Sequence, residues 1–178
     1  IIGVEPDDAA CLDLAFKHNK RLSLKEVGLF VDGVAVKQIG KLNFSLIKEW
    51  LDDVVTVSID EICASVEDTF QETRTIPEPA GALALAGLKK YTKSKGLRNK
   101  NLIAINSGAN LNFDRLGHIV ERVIFMQACE NCNFYENRNQ SSGSCRINPP
   151  YVLKEDNKAV WPIVTVEDWC GRFEDKSV

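Results

Sequence analysis

Four of the chain's six cysteines, Cys129, Cys132, Cys145 and Cys170, fall in its last third with the spacing C-x2-C-x12-C-x24-C. A close pair of thiolates can reach one ion from a single turn, and four soft sulfur ligands suit Zn²⁺ or a [4Fe-4S] cluster. Thiols without a metal, free or in disulfides, are the plain alternative. Cys11 and Cys63 stand apart inside apolar helical patterns, where cysteine reads as a small core residue. A second place for chemistry is "NSGAN", residues 106–110. There an apolar strand pattern meets a tight turn and a helix start, so that backbone N–H groups and the Ser107 hydroxyl could meet a ligand.

The elements that must position these residues alternate over residues 1–125. "IIGVE" and "VVTVS" are short β-branched runs that predict buried strands, and "LIAIN" predicts a third. Between them lie amphipathic helical patterns. In "DDAACLDLAFKHN", Asp7 or Asp8 can cap a helix that turns Cys11, Leu12, Ala15 and Phe16 to one side. "KLNFSLIKEWLDD" repeats apolar residues at Leu42, Leu46, Ile47, Trp50 and Leu51. "IDEICASVEDTFQETR" does so at Ile59, Ile62, Cys63, Val66 and Phe70. In "PEPAGALALAGLKKYTKSK", Pro77 and Pro79 suit a helix entrance, the last turn is cationic, and the many small side chains let another element approach closely. The alternation predicts an α/β fold, a parallel or mixed sheet with helices on both faces, and no internal repeat is visible.

Composition narrows the function. A net charge of −3 offers no broad basic surface for nucleic acid, and no apolar run nears the roughly 20 residues of a membrane helix. Without a signal-peptide pattern the expected compartment is the cytosol, where clustered cysteines point to metal or redox chemistry rather than to structural disulfides. "VAVK", residues 34–37, mimics a protein-kinase strand, but no Gly-rich loop precedes it and neither "HRD" nor "DFG" follows.

Five blocks in order, "IIGVEPDDAACL", "VGLFVDGVAVKQIG", "WLDDVVTVSIDEIC", "PEPAGALALAGLKKY" and "INSGANLNFDRL", resemble the biosynthetic threonine dehydratases over residues 1–125. The resemblance implies part of a fold type II pyridoxal-phosphate enzyme, homo-oligomeric as a family, that converts L-threonine to 2-oxobutanoate and ammonia. By that match Ser107 is the hydroxyl that meets the cofactor's pyridine nitrogen. Glu78 is a pocket carboxylate, and Gly33 is a glycine that leaves room beside the ring. Each also has a structural reading: a helix cap for Ser107, a dipole partner for Glu78 and a turn for Gly33. Some relatives hold a metal with a glutamate and an aspartate six residues on. Here Glu5 is followed by Cys11, so no such site is expected.

The family's Schiff-base lysine, in "S-F/Y-K-x-R-G", and its Gly-rich phosphate loop match no stretch of these residues. They are expected to precede "IIGVE", and the 178 residues alone are expected to be inactive, with no catalytic residue assigned among them. At Met126, the only methionine, the composition changes. Residues 126–178 are expected to form a separate four-cysteine metal module, either a genuine second domain or the product of a reading-frame accident. The pattern "CxxCxFY", "GxCR", "PP", "WP" and "WCGxF" resembles small bacterial Cys-rich proteins related to the high-potential iron–sulfur fold. Phe134, Tyr135, Trp161, Trp169 and Phe173 are its expected apolar shell.

Overall fold

The computed structural model describes residues 1–152, 159–168, 174 and 176. They group into two compact units, Ile1–Val120 and Glu121–Val178.

The first unit begins with two short strands that pair in parallel, β1 (Ile2–Pro6) and β2 (Asp53–Val57), in register from Ile2 opposite Asp53 to Pro6 opposite Val57. Both coincide with the β-branched runs of the sequence. Five helices accompany them in the chain: α1 (Cys11–His18), α2 (Lys41–Trp50), α3 (Ile59–Thr73), α4 (Pro79–Lys95) and α5 (Phe113–Met126). Successive residues of a strand point to opposite faces. A Cβ on Gly3 would sit 3.1 Å from Leu12 of α1, whereas Val4 meets Gly87 of α4, where a Cβ would stand 2.3 Å from the valine. The two helices therefore cover opposite faces of the strand pair, and the glycine at 87 sets how closely α4 can lie.

Local chemistry sets the start of α3 and both ends of α4. The Ser58 hydroxyl accepts the Glu61 N–H at 3.1 Å while the Glu61 carboxylate accepts the Ser58 N–H at 2.7 Å, a reciprocal capping box that starts α3. Pro79 opens α4, and Gly96 closes it in the left-handed region at φ +59°, with Lys93 and Lys95 in the last turn.

Three expectations are corrected here. Neither Asp7 nor Asp8 caps α1; they lie in a short 3-10 turn, Asp7–Ala9, and the cap residue is Ala10. Its orphan amides are met instead from the preceding strand, by Glu5. "LIAIN" is not a strand: residues 101–112 carry no regular element, and Ile103 and Ile105 are 91% and 75% exposed. A strand exists only through a ladder partner, and among the described residues the parallel sheet ends at β1 and β2. Of the apolar residues expected along α2, Ile47 does pack, with the unforeseen Phe44, against Cys11, Ala15 and Ile39, whereas Leu42, Leu46 and Trp50 stay exposed.

The main core of this unit joins Val31, Val57, Ile62, Leu83 and Ala86, with Val4 and Val55 packed against them. Cys63, fully buried on α3, is the small core residue that its apolar pattern predicts.

In the second unit, β3 (Tyr135–Asn137), β4 (Ser142–Cys145) and β7 (Ile163–Thr165) form an antiparallel sheet in the order β3-β4-β7, and β5 (Tyr151–Val152) pairs with β6 (Ala159–Val160). Among the described residues no helix is long and apolar enough to cross a membrane.

Candidate functional site

The entrance of α4 gathers three separated pieces of chain. Glu78 is its cap residue, extended at φ −68° and ψ 160°, with a half-buried side chain that makes no capping bond. Its backbone N–H donates instead to the Gly108 carbonyl at 3.1 Å, and the Ser107 N–H donates to the Gly81 carbonyl at 3.2 Å. The "SGAN" segment is thus tied by backbone bonds to the first turn of a helix some 26 residues upstream, the separation of Ser107 from Gly81. Two glycines allow it. A Cβ on Gly81 would fall 1.8 Å from the Ser107 carbonyl oxygen, and Gly108 holds φ +78° with its α-carbon close against the Glu78 carboxylate.

Gly33 completes the group. It lies in a 3-10 turn, Asp32–Val34, where a Cβ would sit 2.9 Å from Ala80 and 3.7 Å from Glu78 Oε1. Gly33, Glu78 and Ser107, far apart in sequence, therefore surround one helix start, with Ser107 exposed and its hydroxyl making no hydrogen bond among the described residues. Arg115 of α5 was not foreseen. It pairs with Asp32 at 3.3 Å, lies over the Phe30 ring at 5.5 Å and donates to the Phe30 carbonyl at 2.5 Å, anchoring the turn that carries Gly33. A bare backbone at Gly33, a carboxylate beside it and an unengaged hydroxyl suit a flat ring with one hydrogen-bonding nitrogen.

Glu5 serves a different purpose. Its carboxylate accepts the N–H groups of Leu12 and Asp13, both at 2.8 Å, and the Cys11 thiol. Burial pushes the Glu5 carboxyl up despite those bonds, and burial, reinforced by the adjacent Glu5, pushes the Cys11 thiol up to about 11. At pH 8 only about one Cys11 in a thousand is then a thiolate, far fewer than for a cysteine at about 8.5. Iodoacetamide at pH 8 with a chelator present, read by peptide mass spectrometry, is expected to label half-exposed Cys145 well before Cys11 or Cys63. Equal rates at all three would overturn this account of the Glu5 and Cys11 pair.

In the second unit Cys129 and Cys132 bracket a 3-10 turn, closed by the Cys132 N–H donating to the Cys129 carbonyl at 3.0 Å. Tyr135 pairs opposite Cys145 in the ladder of β3 with β4, which brings the third sulfur round. Cys129, Cys132, Cys145, Tyr135, Ile147 and Val164 line one cavity of about 10 Å³. Cys170, Trp169 and Phe173 lie outside the described residues. The expected formed metal site is not seen: among the described residues no three His, Cys, Asp or Glu side chains are arranged to hold an ion. Cys129 and Cys132 are buried and Cys145 is half-buried, and they share the cavity lining with Ile147 and Val164 as small apolar groups do. Of the expected shell, Phe134, Tyr135 and Trp161 are half-buried, and Arg146 stacks on Trp161 at 3.8 Å.

A family model described as pyridoxal-phosphate dependent enzyme matches residues 1–108. The chain is 48% identical over 130 residues to the biosynthetic L-threonine dehydratase IlvA of Burkholderia multivorans, covering 73% of this chain and 26% of that protein. It is 54% identical over 121 residues to threonine dehydratase 1 biosynthetic, chloroplastic, of Solanum lycopersicum, covering 68% and 20%. The structure of the processed form of threonine deaminase isoform 2 from Solanum lycopersicum superposes with a TM-score of 0.67 at 40% identity, covering 68% of this chain and 36% of that one. The chain thus spans about a quarter of the length of the curated relatives it matches.

Proposed function

This chain belongs to the pyridoxal-phosphate dependent enzyme family, and on that premise we propose that residues 1–125 build one wall of the cofactor pocket of a threonine dehydratase. The reaction is elimination of water from L-threonine, followed by hydrolysis to 2-oxobutanoate and ammonia. The observation that carries this reading is the meeting of Gly33, Glu78 and Ser107 at the start of α4. The relatives above, named threonine dehydratases, support the substrate.

When bound, pyridoxal phosphate supplies an electron sink for the carbon next to the amino group. The residues of this chain decide how it is held. Ser107 offers a neutral hydroxyl to the ring nitrogen, which a carboxylate would instead hold protonated, so the sink is a moderate one. That suits a β-elimination, in which the hydroxyl leaves promptly. Gly33 gives the ring room to lie against backbone. Glu78 sets a carboxylate at the same rim, able to accept a hydrogen bond from a donor bound there.

Grafting residues 1–122 in place of the matching stretch of the Pasteurella multocida dehydratase, 52% identical over 122 residues, tests the proposal. The chimera is expected to bind pyridoxal phosphate and to form 2-oxobutanoate from L-threonine, and Ser107→Ala in it to weaken cofactor binding. A folded chimera that binds the cofactor yet ignores threonine would sink the substrate assignment.

A second reading concerns the other unit, favoured by three cysteines around one cavity. Residues 126–178 form a soft-metal module, zinc or iron–sulfur, whose ligands are Cys129, Cys132, Cys145 and, from the spacing alone, Cys170. So small a segment with little apolar surface gains folding free energy from a shared ion.

A further inference from the structure

Glu78 Oε1 lies between two separate pieces of chain: a Cβ on Gly108 would stand 2.2 Å from it, and one on Gly33 would stand 3.7 Å away. The piece that carries Ser107 and Gly108 is fixed to α4 by two backbone bonds, from the Ser107 N–H to the Gly81 carbonyl and from the Glu78 N–H to the Gly108 carbonyl. The turn that carries Gly33 is closed by bonds of its own. The Val34 N–H donates to the Val31 carbonyl at 3.0 Å, the Ala35 N–H to the Asp32 carbonyl at 3.2 Å, and the Gly33 N–H to Asp32 Oδ1 at 3.0 Å. Those bonds fix the shape of the turn and not its distance from the Ser107 segment.

Arg115 supplies the link between the two. It follows the Ser107 segment directly, and its own N–H donates to the Asn112 carbonyl at 3.0 Å. Its guanidinium then reaches the Gly33 turn in three ways: it donates to the Phe30 carbonyl at 2.5 Å, lies over the Phe30 ring at 5.5 Å and pairs with Asp32 at 3.3 Å. The Asp32 side chain is 69% exposed, so water screens that ion pair and it contributes little. The weight falls on the bond to the Phe30 carbonyl and on the contact with the ring, both of which need a flat, forked cation.

Resting on the pocket reading above, we infer that Arg115 is a positioning residue. It holds the Gly33 turn at a fixed distance from the segment that carries Ser107, with Glu78 between them, and so sets the room left for the cofactor ring. One side chain closes a circuit of contacts that runs from α4 to the Ser107 segment, on to the start of α5, across to the Gly33 turn and back to α4 at Ala80.

Hydrogen exchange in the whole 178-residue chain tests the positioning without the cofactor. In Arg115→Ala the amides of Gly33, Val34 and Ala35 are expected to exchange about 10-fold faster, the weight of one hydrogen bond to a charged group, while those inside α3 keep their wild-type rates. Unchanged exchange in the turn, or an equal rise throughout the unit, would overturn the inference. In the chimera with the Pasteurella multocida dehydratase, Arg115→Ala is expected to weaken pyridoxal-phosphate binding by about 10-fold in equilibrium titration. Arg115→Lys keeps the charge beside Asp32 but not the fork, and is expected to recover little of that loss. Wild-type cofactor affinity in Arg115→Ala, or full recovery in Arg115→Lys, would overturn the role given to Arg115. A parent chimera that failed to bind the cofactor would sink the pocket reading and this inference with it. One that bound the cofactor yet ignored threonine would sink only the substrate assignment, since neither exchange nor cofactor titration reads turnover.

Discussion

Gly81→Ala, placed in a chimera that carries residues 1–122 within a full-length relative, is expected to lower the rate of 2-oxobutanoate formation by roughly 100-fold, the cost of shifting a catalytic group by about 1 Å. The new Cβ would stand 1.8 Å from the Ser107 carbonyl oxygen and 2.6 Å from that of Gly108, so backbone must move. Because the Ser107 N–H bonds the Gly81 carbonyl, the segment cannot retreat without loosening the bond that places the hydroxyl. A helix gains from alanine in place of glycine by up to about 1 kcal/mol, and overpacking costs about 1–3 kcal/mol. The net effect on folding is therefore smaller than the effect on catalysis. Cofactor affinity should fall with the rate, which equilibrium titration of pyridoxal phosphate measures. Undiminished activity would show that Ser107 does not need this contact, and with it the proposed pocket would lose its organising bond.

The residue types at this site were legible in the sequence, but their meeting was not. Gly33, Glu78 and Ser107 stood out through a family resemblance. The bonds that join them run between Gly81 and Ser107 and between Glu78 and Gly108, pairs that no local pattern links. Arg115 bonds a carbonyl 85 positions away and left no signal at all. The strands β1 and β2 and the helices α1, α2 and α3 followed from apolar patterning, because burial and periodicity act over a few residues, and α4 followed from its prolines and cationic last turn. "LIAIN" has the same local pattern as β1, yet a strand depends on a neighbour that its own letters do not name. The cap of α1 failed for a related reason: Asp7 and Asp8 are nearer in sequence, but Glu5 lies one strand residue back where its carboxylate reaches the free amides of Leu12 and Asp13. In the second unit the spacing grouped four cysteines as ligands of one ion; Cys129, Cys132 and Cys145 line one cavity, yet among the described residues no three such side chains are arranged to hold a metal, an arrangement that spacing alone does not encode.

The pocket also depends on the core beneath it, and Ile62→Ala is expected to lower the stability of the first unit by about 2–5 kcal/mol. Ile62 is fully buried on α3, packed among Val31, Val57, Leu83 and Ala86. Val31 adjoins the turn that carries Gly33, and Leu83 follows Gly81 by one helical half-turn, so one side chain supports two of the three pieces that form the site. Removing its outer carbons leaves a cavity that neighbours on a strand, a loop and a helix cannot all close together. For a domain whose total stability is of the order of 5–15 kcal/mol that is a large share. Urea unfolding followed by far-UV circular dichroism should show an earlier midpoint with an unchanged slope. Ile62→Val, which loses a single methyl group, should cost about 0.5–1.5 kcal/mol. Phe70→Ala offers the contrast, since Phe70 is 39% exposed on the same helix and a side chain half in water has less burial to lose. If Phe70→Ala proved the more damaging, the buried centre of this unit would have to lie on the outer face of α3, against the packing of Ile62.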